Sequence, residues 1–269
     1  MLRTFKHIVP CLLMLLMVSC VSEIDLPQIA EGQGMFALSL AAAGQGNNVE
    51  TRADDESWQK LTPTEAASYK ITLIKDSETI WGPKLLSSVT TSDCTQPVGT
   101  GYSVSAESCT ATEAESANGG WGQRRYYGKS SSFSITKNDT TKVRVNCHIA
   151  NAGLCVQFDE SFTTYFTLGY SVTTDDGRAL RFDETTADNV AYYNIPDGAT
   201  HTVHLFINAS AGWDGILNIE KNLTLKAGTI TRLNVKLNTE DPTGNVGITI
   251  TIDTEFSNTD ENLVIEEDI

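Results

Sequence analysis

The chain is poor in basic residues, and this shortage limits its partners. Its 269 residues include 19 Lys and Arg against 34 Asp and Glu, which gives a formal net charge of −15. Binding to nucleic-acid phosphates needs clustered Lys and Arg. The only short basic cluster is Arg124-Arg125 with Lys129, which is too small to line a groove. The composition therefore argues against nucleic acid as a partner.

Histidine is also scarce, and the usual signatures of catalysis and metal binding are missing. Among the four histidines, His201 and His204 are three residues apart on a predicted strand, so their side chains should point to opposite faces. There is no CxxC, and His148 stands alone beside Cys147. No nucleophile elbow, HExxH or phosphate-binding glycine loop is present. We assign no catalytic residue, no metal site and no cofactor.

Long apolar runs are absent except near the N-terminus. Arg3 and Lys6 precede an eleven-residue run, Ile8 to Val18, which is too short to cross a bilayer, since a spanning helix needs about 20 residues. Small residues then lead to a cysteine in Met17-Val18-Ser19-Cys20. This segment is typical of a signal peptide and resembles a bacterial lipobox, with Cys20 as the acylated residue. The alternative is an ordinary secretory signal with a chance cysteine.

The residues after Cys20 indicate where the lipoprotein would reside. Glu23 and Asp25 resemble the acidic tag that directs lipoproteins of gut Bacteroidota to the outer face of the outer membrane. Removal of Arg3 and Lys6 with the signal takes the formal charge from −15 to −17. No later segment approaches a membrane span, so the sequence predicts attachment through the lipid, such as palmitate, alone.

Four cysteines remain after Cys20, and an exported chain can oxidise them. They are Cys94, Cys109, Cys147 and Cys155, which permit three pairings. We favour a disulfide between Cys94 and Cys109, because it would join neighbouring segments. Buried, unpaired thiols within strands are the alternative.

Almost every regular segment alternates apolar and polar residues with a period of two, which is the antiparallel-sheet pattern. Turn signals such as Asp175-Asp176-Gly177 separate these segments. One short helix is predicted near Pro63 to Ser68. The sequence therefore predicts an all-β protein. The clearest segments are Phe36–Leu40, Tyr69–Ile74, Tyr102–Ala106, Lys142–Val145, Val203–Ile207 and Gly247–Ile252.

An internal repeat predicts two tandem units. Phe133 to Cys147 aligns without gaps with Leu223 to Leu237, at an offset of 90 residues. Each copy contains an alternating strand, a polar turn and a second alternating strand, which we interpret as a repeated hairpin. The boundary between the units is expected near Ala150 to Gly153. Unrelated hairpins that converged on one pattern are the alternative.

Three segments carry a resemblance to a known family. Gln96 to Ala106 resembles the proline–glycine strand entry of transthyretin-like sandwiches. The segments Gly119 to Gly128 and Val145 to Ala152 follow in the same order as in uncharacterised Bacteroidota lipoproteins related to the fimbrillins, the subunits of donor-strand pili. The resemblance covers roughly Tyr69 to Val235 and is weaker in the second unit.

This resemblance implies assembly by strand exchange, with the partners being other pilus subunits. A precursor would be cut after Arg52, before Ala53, to release a first strand near Met35 to Leu40. The groove would then accept a donor strand from another copy. The candidate donor is Gly247 to Ile252, with the alternating residues Ile248, Ile250 and Ile252. The alternatives are that Arg52 is a solvated linker residue, that Gly247 to Ile252 is the domain's own last strand, and that the tail from Asp260 onward is the donor or disordered.

Aromatic residues in glycine-rich loops form the best candidate ligand site. Trp121, Tyr126 and Tyr127 lie close to Arg124 and Arg125 in one loop, and Trp213 has a similar setting in the second unit. Aromatic rings with hydrogen-bonding neighbours can stack on a sugar. The alternative is that these rings cap the ends of the sandwiches.

Together these observations predict two tandem transthyretin-like antiparallel β-sandwiches after a lipoprotein signal peptide. The protein would be a non-enzymatic outer-membrane fimbrial or adhesive subunit, with a monomeric glycan-binding lipoprotein as the alternative. Its surface partners would be pilus subunits or a host glycan surface. The predicted segments are a signal peptide (1–19), a lipidated segment with the first strand and a linker (20–68), a first sandwich (69–152), a second sandwich (153–254) and an acidic tail (255–269).

Overall fold

The computed structural model describes residues 29–43, 58–187, 189–196, 198–211, 215–238, 247–255 and 263–268. Of 43, 58–59, 215, 238, 247–249, 252–255 and 263–268 it describes the backbone alone. The described residues form two units that meet at Asn151.

The described part of the first unit contains strands and three short helices. Its described strands are β1 (Gln33–Ala43), β2 (Trp58–Lys60), β3 (Lys70–Lys75), β4 (Glu78–Leu85), β5 (Thr95–Pro97), β6 (Gly99–Glu107), β7 (Tyr126–Lys129), β8 (Phe133–Ile135) and β9 (Thr140–Ile149). The helices are α1 (Pro63–Ala66), α2 (Thr91–Cys94) and α3 (Ala111–Ser116), and single 3₁₀ turns occupy Leu86–Ser88 and Asn118–Gly120.

The second unit, in the residues that the structure describes, contains strands and one helix. Its described strands are β10 (Ala152–Phe158), β11 (Gly169–Asp175), β12 (Arg181–Phe182), β13 (Ala191–Tyr193), β14 (Thr200–Ala211), β15 (Gly215–Lys226), β16 (Ile230–Asn238), β17 (Gly247–Glu255) and β18 (Leu263–Asp268). The helix α4 spans Glu160–Tyr165.

The all-β prediction is confirmed, and strand β9 illustrates its physical basis. From Val143 to Ile149, every second side chain is buried and those between are exposed. Two separate apolar cores result, one built from Phe36 to Cys147 and the other from Ala152 to Ile250. The alternation therefore gives each unit a core of its own.

In the first unit the strands run in the order β2-β1-β9-β7-β6-β3-β4, with β5 beside β1 and β8 beside β6. The second unit has two sheets, β13-β10-β16-β17-β18 and β12-β11-β14-β15. The sequence predicts purely antiparallel sheets, and the structure corrects this prediction. β1 runs parallel to β9, and β10 runs parallel to β16.

These parallel pairs reveal a shared design that alternation alone does not encode. In each unit the first strand lies beside the last strand of the internal repeat, and the two point the same way. Side-chain alternation has the same period in parallel and antiparallel strands. The strand direction therefore could not be read from the pattern.

The repeated segment is a strand–turn–strand unit, but it is not a hairpin. β8 pairs with β6, whereas β9 pairs with β1 and β7. Likewise β15 pairs with β14, whereas β16 pairs with β10 and β17. In both units the polar turn thus connects two strands that pair with different neighbouring strands. This shared connection is the structural feature that the two copies of the repeat have in common.

The predicted helix at Pro63 to Ser68 is present as α1, and α2 and α3 begin in the same way. Each starts with a threonine whose hydroxyl accepts a hydrogen bond from the backbone N–H three residues later. The acidic residue at that later position bonds back to the threonine, which completes a capping box. The sequence signal for α2 and α3 was therefore Thr90–Asp93 and Thr110–Glu113.

The segment after residue 254, predicted as an acidic tail, contains a strand. β17 continues to Glu255, and β18 pairs with it in antiparallel register from Ile252–Leu263 to Gly247–Asp268. Val264 and Ile265 are β-branched residues that favour strands, and the strand continues through the three acidic residues that follow.

Candidate functional site

Strand β1, the candidate removable strand, is paired on both sides. Met35 to Ala42 pair with Thr140 to Cys147 of β9. On its other side, the start of β1 pairs with β5 and its end pairs with β2. The side chains of Phe36, Leu40 and Ala42 are buried in the first core. Removal of β1 would thus uncover strand edges and an apolar groove together.

Glycine at position 34 lets β1 lie tightly against the turn after β8. A Cβ built on Gly34 would stand 2.0 Å from the carbonyl oxygen of Thr136. No side chain fits this space without movement of the backbone. The start of β1 is therefore closely fitted to the first unit.

The candidate donor strand lies in the chain's own second sheet. Ile248, Ile250 and Ile252 all belong to β17, which pairs along its length with β16. The side chain of Ile250 is buried in the second core, whereas those of Ile248 and Ile252 lie outside the described side chains. This position corresponds to the alternative in which the segment is the last strand of its own domain.

Several predicted sites lie outside the described residues. They are the lipidation site Cys20, the processing site Arg52 and Ala53, and the aromatic residue Trp213. These assignments stay predictions from the sequence.

Trp121 belongs to the contact between the two units. Its half-buried ring packs against the second core, edge-on to Phe182 with 4.9 Å between ring centroids. Its backbone carbonyl accepts a 2.7 Å hydrogen bond from the N–H of Tyr192 in the second unit. The geometry therefore assigns a packing role to this residue.

Tyr126 and Tyr127 face other surroundings. Tyr126 packs against the first core, and its hydroxyl accepts a 3.4 Å hydrogen bond from Arg124. The ring of Tyr127 lies 5.5 Å from the guanidinium of Arg125. Because Trp121 packs on one core and Tyr126 on the other, the structure does not bring these rings together as one sugar-stacking platform.

Arg178 is a residue that sequence reasoning missed, and it ties the units together. One guanidinium nitrogen donates to the carbonyl of Gly120 at 3.1 Å and to that of Tyr192 at 2.8 Å. The other terminal nitrogen lies 3.4 Å from a carboxylate oxygen of Asp176. The guanidinium also stacks over Tyr193, 4.1 Å from the ring centroid. Only the turn Asp175-Asp176-Gly177 was visible as a signal in the sequence.

Asn151 completes this junction at the point where the chain passes between units. Its side chain accepts a hydrogen bond from the backbone N–H of Arg125 and donates one to the carbonyl of Gln123. Its carbonyl accepts from the N–H of Gly228 in the second unit. Asn151 is 1% exposed, so these bonds satisfy polar groups that water cannot reach.

The predicted disulfide between Cys94 and Cys109 is not formed in the structure, where both residues are thiols. Cys94 directly precedes β5. Because β5 pairs with β1 and the start of β1 pairs with Thr140, Cys94 belongs to the end of the first unit where β9 begins. Cys109 follows Ser108, whose N–H donates to the carbonyl of Tyr126, and Tyr126 pairs with Ile149 at the end of β9. Thr140 and Ile149 are nine residues apart along β9, which corresponds to about 30 Å. A disulfide needs Cα atoms within about 7 Å.

The thiols and capping acids have shifted pKa values with clear causes. Burial raises the pKa of Cys147 to about 12 and that of Cys94 to about 11, which keeps both groups protonated. The hydrogen bond from Lys84 lowers the pKa of Asp93 to about 2, and that from Lys70 does the same for Glu113. The shifts of Asp93 and Glu113 arise from helix caps and from ion pairs between a strand and a helix.

No three His, Cys, Asp or Glu side chains in the described part of the chain are placed to hold a metal ion. No helix among the described residues is long and apolar enough to cross a bilayer.

The fold defines an all-β protein of two similar units, each with its first strand parallel to a later one. Residues 32–267 match the family described as "Domain of unknown function (DUF4493)", and the chain belongs to that family. No curated protein matches the chain.

Solved structures match most of the chain at low sequence identity. One is described as a fimbrial assembly protein from Parabacteroides distasonis, with 11% identity and a TM-score of 0.45, covering 87% of this chain and 100% of that one. Another is the fimbrial anchor protein Mfa2 from Porphyromonas gingivalis, with 9% identity and a TM-score of 0.37, covering 87% and 99%. Scores at this level do not assign a function to the chain.

Proposed function

We propose that the protein is a non-enzymatic surface subunit that is made as a lipid-anchored precursor and joins a fimbria-like or adhesive assembly by strand exchange after cleavage at Arg52. The observation that carries this proposal is the position of β1, which fills a strand position in the first core while the residues joining it to β2 contain Arg52. Cleavage after Arg52 would leave β1 held by non-covalent contacts alone.

The strand directions support a particular orientation at the membrane. β9 runs toward the junction at Asn151, and β1 is parallel to it. The start of β1, which is the end nearest Cys20, therefore lies at the end of the first unit that is remote from the second. In the uncut precursor, a lipid on Cys20 would hold the first unit near the bilayer and the second unit away from it.

Physical chemistry explains why an opened groove would be filled. Loss of β1 would expose unpaired backbone groups on β9 together with the pockets of Phe36 and Leu40. Unpaired edges beside apolar surface favour pairing with a strand from another chain. We assign the donor role to Gly247–Ile252 of another copy, which would first have to leave its place beside β16.

The N-terminus of protein recovered from the cell surface tests this function. A chain that starts at Ala53 in the polymer and at acylated Cys20 in an Arg52→Ala variant, measured by mass spectrometry, is the expected result. Polymers made of chains that retain Met35–Leu40 would overturn strand exchange through this groove. A matched Arg144→Ala variant, altered on the exposed face of β9, should be processed normally.

Truncation tests the donor strand separately. A chain that ends before Gly244 lacks β17 and β18, so we expect a folded first unit and no polymer on non-reducing gels. Unchanged polymer from this truncation would exclude Gly247–Ile252 as the donor.

A further inference from the structure

A groove extends from the junction onto the second unit, and its size suits a small ligand. Its volume is about 510 Å³, which lies within the range of small-molecule sites. Among the described residues, its lining does not include Trp121, Tyr126 or Tyr127. Arg124 of the first unit lines the groove together with polar and aromatic side chains of the second, which include Gln157, Phe158, Thr163, Tyr170 and Glu184.

The positive charge of Arg124 has no acidic partner in the described part of the chain. Its side chain is half-buried, and one guanidinium nitrogen donates to the hydroxyl of Tyr126 at 3.4 Å. Burial opposes this charge, but hydrogen bonds with Tyr126 and Tyr192 outweigh the effect and raise the pKa of Arg124. Buried charges are ordinarily paired with a charge of opposite sign. A guanidinium that contacts only neutral hydroxyls therefore favours an anionic ligand.

The charges around the groove favour a carboxylate over a phosphate. The planar fork of a guanidinium fits a carboxylate with two parallel hydrogen bonds. A carboxylate carries one negative charge, whereas a phosphate group carries up to about two, and Glu184 also lines the groove. Arg232 lines it as well but has a contact of its own. We therefore assign one carboxylate group of the ligand to Arg124.

The groove also has an aromatic wall beside an acidic side chain. The half-buried rings of Phe158 and Tyr170 have centroids 4.6 Å apart. Burial raises the pKa of Tyr170, and the charges of Glu184 and Asp183 raise it further, so Glu184 lies near this wall. The exposed carboxylate of Glu184 can accept hydrogen bonds from hydroxyl groups. Aromatic faces beside a hydroxyl acceptor suit a sugar ring better than an acyl chain.

Arg124 and the aromatic wall belong to opposite ends of β10. Arg124 precedes Arg125, whose N–H donates to Asn151 immediately before β10 begins. Phe158 is the last residue of β10. The carboxylate and the stacked ring therefore belong to different parts of the ligand, which favours more than one sugar residue.

We propose that this groove binds an acidic oligosaccharide, with the carboxylate of one sugar on Arg124 and a neighbouring sugar ring against Phe158 and Tyr170. The side chains of Gln157 and Thr163 supply further hydrogen-bonding groups along the groove. The source of the ligand rests on the proposed function, because a subunit of an adhesive assembly meets surface glycans that contain sugar acids.

Titration calorimetry with two matched pairs of sugars tests the site. Cellobiouronic acid and cellobiose differ only in a carboxylate, and so do sialyllactose and its carboxamide. At least one acid should bind about 10- to 100-fold more tightly than its neutral counterpart, because a hydrogen bond to a charged group is lost in the neutral sugar. Equal affinities within both pairs, or no binding at all, would overturn the proposal. Tighter binding of glucose 6-phosphate than of either acid would assign the groove to a phosphate instead.

A charge-matched pair of variants tests the role of Arg124. Arg124→Gln should abolish the preference for the acid and leave the affinity for the neutral sugar unchanged. Lys129→Gln removes the same charge from an exposed side chain outside the groove, and should keep the preference. Equal losses in both variants would show that the general charge of the chain, and not this site, selects the acid.

All titrations use the full chain with Arg52→Ala, so that strand exchange plays no part in them. Failure of binding would then leave cleavage and polymer formation as they are, and failure of cleavage in the unaltered chain would leave this binding as it is. The two proposals can therefore fail separately.

A second pair of variants covers failure of Arg124→Gln to fold. Gln157→Ala changes an exposed side chain of the groove, and loss of its hydrogen bond should weaken binding of the acid about 2- to 10-fold. Asn218→Ala changes an exposed side chain of β15 outside the groove, and should have no effect. Unchanged binding by Gln157→Ala would place the sugar elsewhere and overturn the proposal.

Discussion

The two units use the same strand arrangement but secure their first strands differently. In the first unit, β1 is paired on both sides and is separated from β2 by residues 44–57. In the second unit, β10 follows β9 after two residues and is held at Asn151. The two equivalent strands therefore differ in how the chain connects them. One cut between β1 and β2 would separate β1 from the rest of the chain, whereas no single cut would do so for β10.

The largest expected effect comes from removal of β1. A chain that starts at Ala53 lacks the buried side chains of Phe36 and Leu40, each worth about 1.5–3 kcal/mol. We expect the free energy of unfolding of the first unit to fall by about 3–6 kcal/mol, while the second unit keeps its own. Urea unfolding followed by hydrogen exchange distinguishes the units, and an added peptide of residues 33–43 should restore the first. Equal destabilisation of both units would contradict the separation of the cores.

The junction carries the next largest effect. Arg178→Ala removes the guanidinium that bonds the carbonyls of Gly120 and Tyr192. Loss of these charged hydrogen bonds should cost about 3 kcal/mol and make the linker near Asn151 sensitive to protease. Arg181→Ala is the matched control, because that side chain is exposed and bonds within its own unit. An unchanged cleavage rate in Arg178→Ala would show that the units do not depend on this contact.

Two glycines of one loop differ in whether they lie against the second unit, so substitutions at both test the contact between the units with a smaller expected effect. Gly122 has φ of +80°, and a Cβ there would lie 3.0 Å from Tyr192 of the second unit, whereas Gly119 has φ of +68° and open space around it. Gly119→Ala should cost about 1 kcal/mol from backbone strain alone, and Gly122→Ala about 3 kcal/mol, because it also separates the units. Thermal unfolding of both variants checks the difference. Equal losses would mean that the packing of Tyr192 adjusts freely.

The smallest effect concerns the two helix caps. Asp93 in the first unit has its pKa lowered chiefly by Lys84, whereas Asp159 in the second has it lowered chiefly by Ser161, with Lys236 a minor cause. Lys84→Met should raise the pKa of Asp93 from about 2 toward 3.8, and Lys236→Met should move that of Asp159 less. Carboxyl NMR titration measures both.

The sign of the associated stability follows from linkage. A lowered pKa means that the unfolded chain binds more protons, so the contribution of Asp93 is present above pH 3.8 and is lost as the pH falls toward 2. Lys84→Met should therefore flatten this part of the stability curve. An unaltered acid profile would show that the Thr90 cap alone sets the pKa.

Sequence patterns predicted the sheets well because alternation reports directly which side chains are buried. They did not give the direction of β1 and β10, since that choice depends on contacts with β9 and β16, more than 70 residues away. They also did not give the partners of Trp121. Its ring packs against the second core, where Arg178 and Asn151 hold the loop, and neither contact leaves a local signature in the sequence.

The parallel pairing of β1 and β9 has a mechanical consequence. A load applied at the start of β1 and a load applied at the end of β9 act in opposite directions along two adjacent strands. All of the bonds between Met35–Ala42 and Thr140–Cys147 are then strained together in shear, whereas an antiparallel pair pulled from one end would open one bond at a time. A protein with this geometry resists traction along these two strands with all of their shared bonds at once.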